Sequence, residues 1–569
     1  MILQFLTLLG AIGMFLYGLN ILRNGILKLT GEKLKKILPW MQKNPLNSIL
    51  AGIGITSISA SSGAATVMVV SFVNAGALTL AKAILVIMGA NIGASLTTWI
   101  IAIFGFCPEQ SGFTYPLIAL GFLLMMMKGQ KKKVSGEAIL GFALIFLGLS
   151  YTVSNFPSTA DFPHGSAAFI QMSSGGYLSV LLFMAIGCIL ASILQSTGAV
   201  TITMIMLGAG WIGFDMAAAM VMGENIGTTL TANLAASDAN VQAKRAALVH
   251  TLFNVTGAVL ALIFFHPLLK LTGMTVSFLG LPDPCTSLDL SRDSVLAGVF
   301  GTATFHTYFN LLNTCLLAWF TKPLEKLVTR LVSAPENDGD EEDLKLKYIT
   351  ARHFGTPAIS ISLAYKEVAQ FGKTMHDGFS LVSEAVNEND PDKFEVCRRK
   401  LVQMEEFSDK MEYRIADFLN AVTTESISED EAGEIKILYR IIGELESLGD
   451  SGENISRILE RERIHNRILD SDSVEKINIM IDTVDKAYGV MVENLDLAAS
   501  SQVTDISNAY KAEDVINDTR DRLRNDGISR IELHTGNYQS LNYFLDIIAE
   551  LEAMGDFMIN VSQALVKKN

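Results

Sequence analysis

Gln195-Ser196-Thr197-Gly198-Ala199-Val200-Thr201 lies in the middle of an apolar run, 177–212, and Ser61-Ser62-Gly63-Ala64-Ala65-Thr66 lies in the middle of another, 46–76. Each stretch is followed, at nearly equal spacing, by a second small motif: Gly89-Ala90-Asn91-Ile92-Gly93 after the first copy and Gly223-Glu224-Asn225-Ile226-Gly227 after the second. Lipid offers hydroxyls, amides and bare backbone nothing to bond to, so such groups must line a protein interior or an aqueous cavity. Both runs are too long for one simple span, and both read as re-entrant hairpins. Small residues also mediate tight helix packing, which is the plainer reading of either motif alone. Two matched interruptions in corresponding halves point instead to a secondary transporter with its site near the midplane. Broken helices there aim N–H groups and positive dipole ends at an anion, while hydroxyl and carbonyl oxygens suit sodium.

The surrounding sequence sets the membrane reading. Apolar segments occur at 1–22, 46–76, 78–105, 113–127, 136–154, 177–212, 214–237, 246–269 and 295–320, against the roughly 20 residues a spanning helix needs. Basic clusters fall at Lys28–Lys43, Lys128–Lys133, Lys244–Arg245 and Lys322–Arg330, whereas 106–112 and 155–176 have no Lys or Arg. With seven full spans and two hairpins, every basic loop lies on the cytoplasmic side. The first hairpin then enters from inside and the second from outside, an inverted repeat with halves at about 1–134 and 135–333. Weaker echoes agree: Phe15–Leu19 with Ile145–Leu149, and His250–Asn254 with His306–Asn310. The N-terminus has no basic region or small-residue cleavage site and reads as a retained span.

The 569 residues carry a net charge of −14, but the average hides two chains. Residues 1–335 hold 18 Lys and Arg against 11 Asp and Glu, a balance of +7, and the remainder has a balance of −21. Nucleic-acid binding is disfavoured, because an acidic tail repels phosphate backbones. An acidic linker, 334–357, leads into amphipathic helices from 358 onward, broken near 389–391, 423–428 and 465–472. These divide into two similar three-helix bundles, 358–465 and 472–569. Gly443-Glu444-Leu445-Glu446-Ser447-Leu448-Gly449-Asp450, then Asn454, matches Ala549-Glu550-Leu551-Glu552-Ala553-Met554-Gly555-Asp556, then Asn560. The pairs Glu405/Asp409, Glu446/Asp450, Asp514/Asp518 and Glu552/Asp556 each put two carboxylates on one helix face. Like charges so placed cost about 0.2–0.5 kcal/mol a pair. Each pair alone reads as a solvated acidic face, but recurrence at matching points of two bundles favours a cation, divalent or iron.

Ionisable groups inside spans are functional candidates by default, which singles out Glu224 as a coupling residue, with a structural pair to His250 or His306 as the alternative. The two histidines read as interhelical hydrogen-bonders. Cys107, Cys188, Cys285, Cys315 and Cys397 show no metal spacing, and Cys107 and Cys285 fall in outer loops where pairing is open to them. No G-x-x-x-x-G-K-[ST] loop and no nucleophile–His–acid set stands out, so the chain does not read as an enzyme.

The doubled motif resembles the signature Q-S-S-S-A-T-T of the type II sodium–phosphate cotransporters and their bacterial relatives, over about 1–330. The resemblance implies that Ser61, Ser62, Thr66, Gln195, Ser196, Thr197 and Thr201 bind sodium and phosphate, with Asn91 and Asn225 in the same shell. The chain departs from that pattern: Ala60 stands where the first copy has Gln, Gly63 and Gly198 replace the third Ser, and Thr197 replaces the second Ser of copy two. The tail, 355–569, resembles PhoU proteins, paired three-helix bundles whose acidic motifs bind metal clusters and which act in phosphate signalling.

The expectation is therefore an all-α protein: a polytopic inverted-repeat membrane domain, 1–333, with a cytoplasmic PhoU-like domain, 358–569, in a bacterial inner membrane. Its expected function is sodium-coupled phosphate symport regulated by the tail. The expected partners are phosphate, sodium, the bilayer, and a second copy or a phosphate-signalling protein. Export of phosphate, or movement of another oxyanion, is one alternative, and a non-transporting phosphate sensor is another.

Overall fold

The computed structural model describes residues 2–74, 76–106, 112–157, 159, 163–237, 239–286, 290–333, 346, 348–349, 357–423, 427–465, 469–500, 505–533 and 537–566, without the side chains of 2, 27, 30–36, 164–165 and 359. Among them the secondary structure is helical, with no strand. The chain divides into two compact units, one containing Met1–Pro335 and the other Pro357–Asn569.

In the first unit, α1 (Ile2–Lys43) packs along α6 (Gln130–Asn155), and α5 (Thr114–Met126) packs on α6. The predicted first span ends at 22, but α1 runs on through the basic cluster. Helix α2 (Pro45–Ser59) starts at a proline whose missing N–H costs nothing in a first turn, with Asn44 capping the N–H of Asn47. It lies along α4 (Leu80–Phe106) and touches α3 (Ser62–Asn74). Helix α8 (Tyr177–Gly208), which follows the short α7 (Pro163–Met172), packs along α9 (Phe214–Gly227), and α10 (Thr229–Ala235) continues from α9. Helix α11 (Val241–Ile263), capped by Asn240, packs on α3 and α4, and α12 (Phe265–Phe278) follows it. Helix α13 (Arg292–Leu317), capped by Ser291, packs on α4, α8 and α9, and α14 (Thr321–Leu331) ends the unit.

Among the described residues, five helical segments are long and apolar enough to cross a membrane: Leu3–Ile26, Leu80–Phe106, Gln130–Asn155, Tyr177–Gly208 and Val241–Ile263. The expected seven full spans are therefore not matched one for one. The 113–127 segment yields only the 13 residues of α5, about 20 Å at helical rise, and α13 carries too much polarity for an apolar window.

The glycines of the two G-x-N-I-G motifs turn out to be packing positions. A side chain on Gly89 would strike the backbone carbonyl of Ile49 in α2, and one on Gly223 the carbonyl of Met184 in α8. Gly52 and Gly187 complete the two close approaches from the other side, against Val86 and Met220. These are the same helix–helix contact made twice, once in each half.

The second unit consists of α15 (Pro357–Asn387), α16 (Pro391–Thr423), α17 (Glu429–Ile464), α18 (Ser471–Ala499), α19 (Ser507–Glu532) and α20 (Tyr538–Leu565). Ser428 and Glu431 form a reciprocal capping box at the start of α17, and Asp470 and Asn537 cap α18 and α20. Helices α15, α16 and α17 pack together, as do α18, α19 and α20, and the groups meet through α15 on α18 and α17 on α20. The repeated glutamates and asparagines clamp that junction reciprocally: Asn560 donates to Glu444, and Asn454 bonds Glu550.

Candidate functional site

The chain has two non-glycine residues with positive φ among those described, and they occupy the same place in the two motifs. Ala60 (φ 51, ψ 27) separates α2 from α3, and Gln195 (φ 64, ψ 167) breaks α8. The Gln195 conformation is one that residues with a side chain rarely adopt, at a cost of about 1–3 kcal/mol. Each break thus falls just before the first motif serine, Ser61 or Ser196. Each separates a helix of 13 residues on its C-terminal side, α3 or Ser196–Gly208, from the one before it.

The breaks meet. The Thr197 hydroxyl donates to the Ala60 carbonyl at 2.7 Å, joining residues 137 apart in sequence. A cavity of about 270 Å³ opens beside them, lined by Ser61, Gly63, Ala64, Val67 and Met68 of copy one, by Gln195 and Ser196 of copy two, and by Arg23, Thr228 and Thr231. The Ser61 hydroxyl also caps α3 by accepting from the N–H of Ala64. A side chain at Gly63 would run into the Thr231 hydroxyl, so glycine there keeps the cavity open.

Of the residues expected to bind, Ser61, Gln195 and Ser196 line the cavity and Thr197 ties its walls. Ser62, Thr66, Asn91, Thr201 and Asn225 lie off its lining. Thr201 bonds the Thr197 carbonyl of its own helix. Asn91 and Asn225 turn their amide N–H groups onto Ile87 and Val221 one helical turn back, so they serve their own helices first. The oxygens differ between halves. Asn225 Oδ1 faces His306 Nε2 at 3.4 Å, whereas Asn91 Oδ1 and Thr66 Oγ1 are buried without a hydrogen-bond partner.

Glu224 is fully buried, and Thr203 of α8 donates to its Oε1 at 2.6 Å while Oε2 has no partner. The structural partner is thus a threonine and not the histidine of the alternative reading. His306 does link helices, to Thr98 of α4 and Asn225 of α9, but both ring nitrogens of buried His250 lack partners. Cys285 is a free thiol, and Cys107 lies outside the described residues.

In the tail, ligand oxygens of Glu405, Asp409 and Asp450 come within 4.8 Å of one another. Burial first, and then the neighbouring carboxylates, push Glu405, Glu446 and Asp450 above the usual carboxylate range. The matching set in the second bundle, Asp514, Asp518, Glu552 and Asp556, does not close in this way among the described residues. Glu552 is taken by Arg520 at 2.5 Å, while Asp514 and Asp556 lie beside Glu513. Asp518 is exposed on α19 and joins no group of three converging carboxylates among the described residues. The eight-ligand symmetry read from the motif spacing therefore reduces to one three-carboxylate group. An arginine with no counterpart in the first motif neutralises the second, and the one-turn spacing of Asp514 and Asp518 fixes their shared helix but not what α20 brings opposite them.

A family model described as Na+/Pi-cotransporter matches residues 14–154 and 177–282, which contain both breaks. The chain is 30% identical, over 56% of its length and 95% of the relative's, to "Uncharacterized protein YqeW" of Bacillus subtilis (strain 168). The chain belongs to the Na+/Pi-cotransporter family. Over its full length it is 25% identical to "Putative inorganic phosphate export protein YjbB" of Escherichia coli (strain K12), covering 98% of that protein. Over 22% of the chain and 25% of the relative it is 34% identical to "Sodium-dependent phosphate transport protein 2C" of Rattus norvegicus. No solved structure matches. The Na+/Pi-cotransporter family is a phosphate-transporter family and not an enzyme class, and the apolar helices fit a membrane protein.

Three polar cavity residues of this family member escaped the sequence reading. Thr228 directly follows the second G-x-N-I-G, and Thr231 comes three residues later. Arg23 fell between an assigned span ending at 22 and a basic cluster starting at 28. The legible signal was its place in an otherwise apolar stretch, the rule that had singled out Glu224.

Proposed function

We propose that this protein carries inorganic phosphate across the membrane, coupled to sodium, by alternating access around the two breaks. The observation that carries the reading is the single cavity lined by both motif copies and by Arg23, a fixed positive charge. Phosphate needs N–H and O–H donors and a cation, and Ser61, Ser196 and Arg23 supply them, while the Thr228 and Thr231 hydroxyls would have to turn from the carbonyls of Asn225 and Thr228 to join. Sodium needs uncommitted oxygens, and Thr66 Oγ1 and Asn91 Oδ1, on the packed pair α3 and α4, are buried and unpartnered. Ser62, Gln195, Thr197, Thr201 and Asn225 complete the shell as the carrier moves. Glu224 is a second coupling candidate, able to hold a proton or a cation on Oε2.

In this reading α2–α3 and the two parts of α8 are re-entrant hairpins of an inverted repeat, each part too short to cross alone except Tyr177–Leu194. The 358–569 region is a cytoplasmic PhoU-like regulator in a bacterial inner membrane. Net export is the second reading, supported by full-length likeness to proteins named for phosphate export. Radiolabelled phosphate flux in proteoliposomes, with sodium or proton gradients of either direction, tests both. Sodium-driven flux is expected. Flux indifferent to sodium discards the coupling, and its preferred direction separates import from export.

Glu405, Asp409 and Asp450 would hold a divalent cation, with Glu446 beside them, and the cation would supply charge neutralisation. Because their folded-state pKa values are raised, Glu405, Glu446 and Asp450 favour the folded tail below the ordinary carboxylate range. That contribution is lost as pH rises through the raised values. Manganese should therefore slow amide hydrogen exchange in α16 and α17 of the full-length protein at neutral pH and have little effect below the carboxylate range. Asp450→Asn should weaken the neutral-pH effect. Equal exchange with and without manganese at neutral pH would leave the acidic face merely solvated.

A further inference from the structure

We propose that Arg23 and Gln195 form an exchange switch: an incoming oxyanion takes the guanidinium from Gln195, and the freed amide oxygen becomes a sodium ligand. This rests on the phosphate–sodium reading of the cavity and adds how the two ions are coupled within it.

Arg23 Nη2 donates to Gln195 Oε1 at 2.6 Å, the one side-chain hydrogen bond of that guanidinium among the described residues. Its Nε is buried without a partner, and no carboxylate pairs with it among the described residues. The arginine therefore carries an unneutralised charge on an apolar span, and its strongest available partner is a neutral amide. An ionised oxyanion offers two coplanar oxygens to the guanidinium fork, a match a single amide oxygen cannot equal. Exchange of partners is thus downhill once an anion enters the cavity.

The exchange changes what Gln195 can do. With one lone pair of Oε1 held by a guanidinium, the adjacent positive charge repels a cation from the other. With the anion on Arg23, that repulsion is neutralised and Oε1 is released at the mouth of the cavity, where Gln195 is exposed. The break that carries Gln195 stays in register through the bond from Thr197 to Ala60, which does not involve either exchanging group. Copy one cannot switch, because its equivalent left-handed residue is Ala60, with no amide to release. One bond therefore links anion to cation, and linkage requires that each tighten the other by the same factor.

The test is equilibrium binding of radiolabelled phosphate and of radiolabelled sodium to the purified full-length protein, with choline replacing sodium in the paired measurement. In the unaltered protein, sodium should tighten phosphate by about ten-fold or more, within the usual range of coupling between sites. Gln195→Gly keeps a residue suited to the positive φ, so the break survives while the amide is lost. It should bind phosphate in choline more tightly than the unaltered protein, because the guanidinium has lost the partner the anion must displace, and lose the sodium effect, to within about two-fold. Arg23→Gln should lose phosphate binding in both salts and bind sodium without phosphate. Persistence of the full sodium effect in Gln195→Gly, or phosphate-dependent sodium binding in Arg23→Gln, overturns the switch while leaving the phosphate cavity standing. Absence of phosphate binding by the unaltered protein overturns the cavity reading and the switch together.

Discussion

Gly223→Ala should cost the membrane unit about 3 kcal/mol, the upper part of the usual overpacking range, and Gly89→Ala should do the same on the other half. A methyl group on either residue meets a backbone carbonyl, Met184 or Ile49, and not the end of a side chain that could swing aside. Relief requires moving α9 off α8, or α4 off α2, and both helices carry cavity walls or their supports. The measurement is the temperature at which the detergent-solubilised protein loses its monodisperse elution peak. Gly54→Ala is the control, since nothing lies within 4 Å of the added methyl there. Equal melting of Gly223→Ala and Gly54→Ala would refute the close approach.

Thr197→Val should reduce phosphate flux by about ten-fold while the protein still assembles. The substitution keeps the shape and removes one hydroxyl, leaving the Ala60 carbonyl without this donor. Losing one partner of a buried bond costs about 1–3 kcal/mol, and for this partly buried bond the low end, near the roughly 1.4 kcal/mol that makes a factor of ten, is expected. The bond is the direct tie between the halves at the breaks, so its loss lets them separate where the substrate would sit. Thr197→Ser should restore flux. Thr272→Val, at a hydroxyl that bonds only its own helix, should change flux little. Flux unchanged in Thr197→Val would remove the inter-repeat tie from the mechanism.

The interruptions were legible because polar groups at bilayer depth violate a rule with few exceptions, and duplication made chance an inadequate account. The strained residues themselves were harder to read. Serine and glycine drew attention to 61–63 and 196–198, but the turns fall one residue earlier, at Ala60 and Gln195, because the serines begin the next helices. Alanine and glutamine carry no propensity for positive φ, so only the packed chain reveals them. The asparagines were assigned to the ion shell by their type. Their N–H groups bond carbonyls one turn back, an option open to any helical asparagine and invisible in a motif, which leaves only their oxygens for an ion. In the tail, Pro391 and the capping residues Ser428 and Asp470 made helix boundaries readable, whereas the Arg520–Glu552 pair that breaks the acidic symmetry, and the exposure that leaves Asp518 outside any carboxylate group, depend on which faces of α19 and α20 meet.

Composition and periodicity alone determine that this is a helical chain with an apolar, positively biased first part and an acidic second part. They also determine that two equivalent polar stretches interrupt the apolar part. Such features follow from short-range physics: burial of apolar faces, helix caps, and the demand that backbone groups be paired in lipid. That Thr197 reaches Ala60, that Arg23 holds Gln195 across 172 positions, and that three of eight candidate carboxylates converge depend on the folded packing. Those contacts join residues on different helices, and their distances are set by how the helices pack against one another.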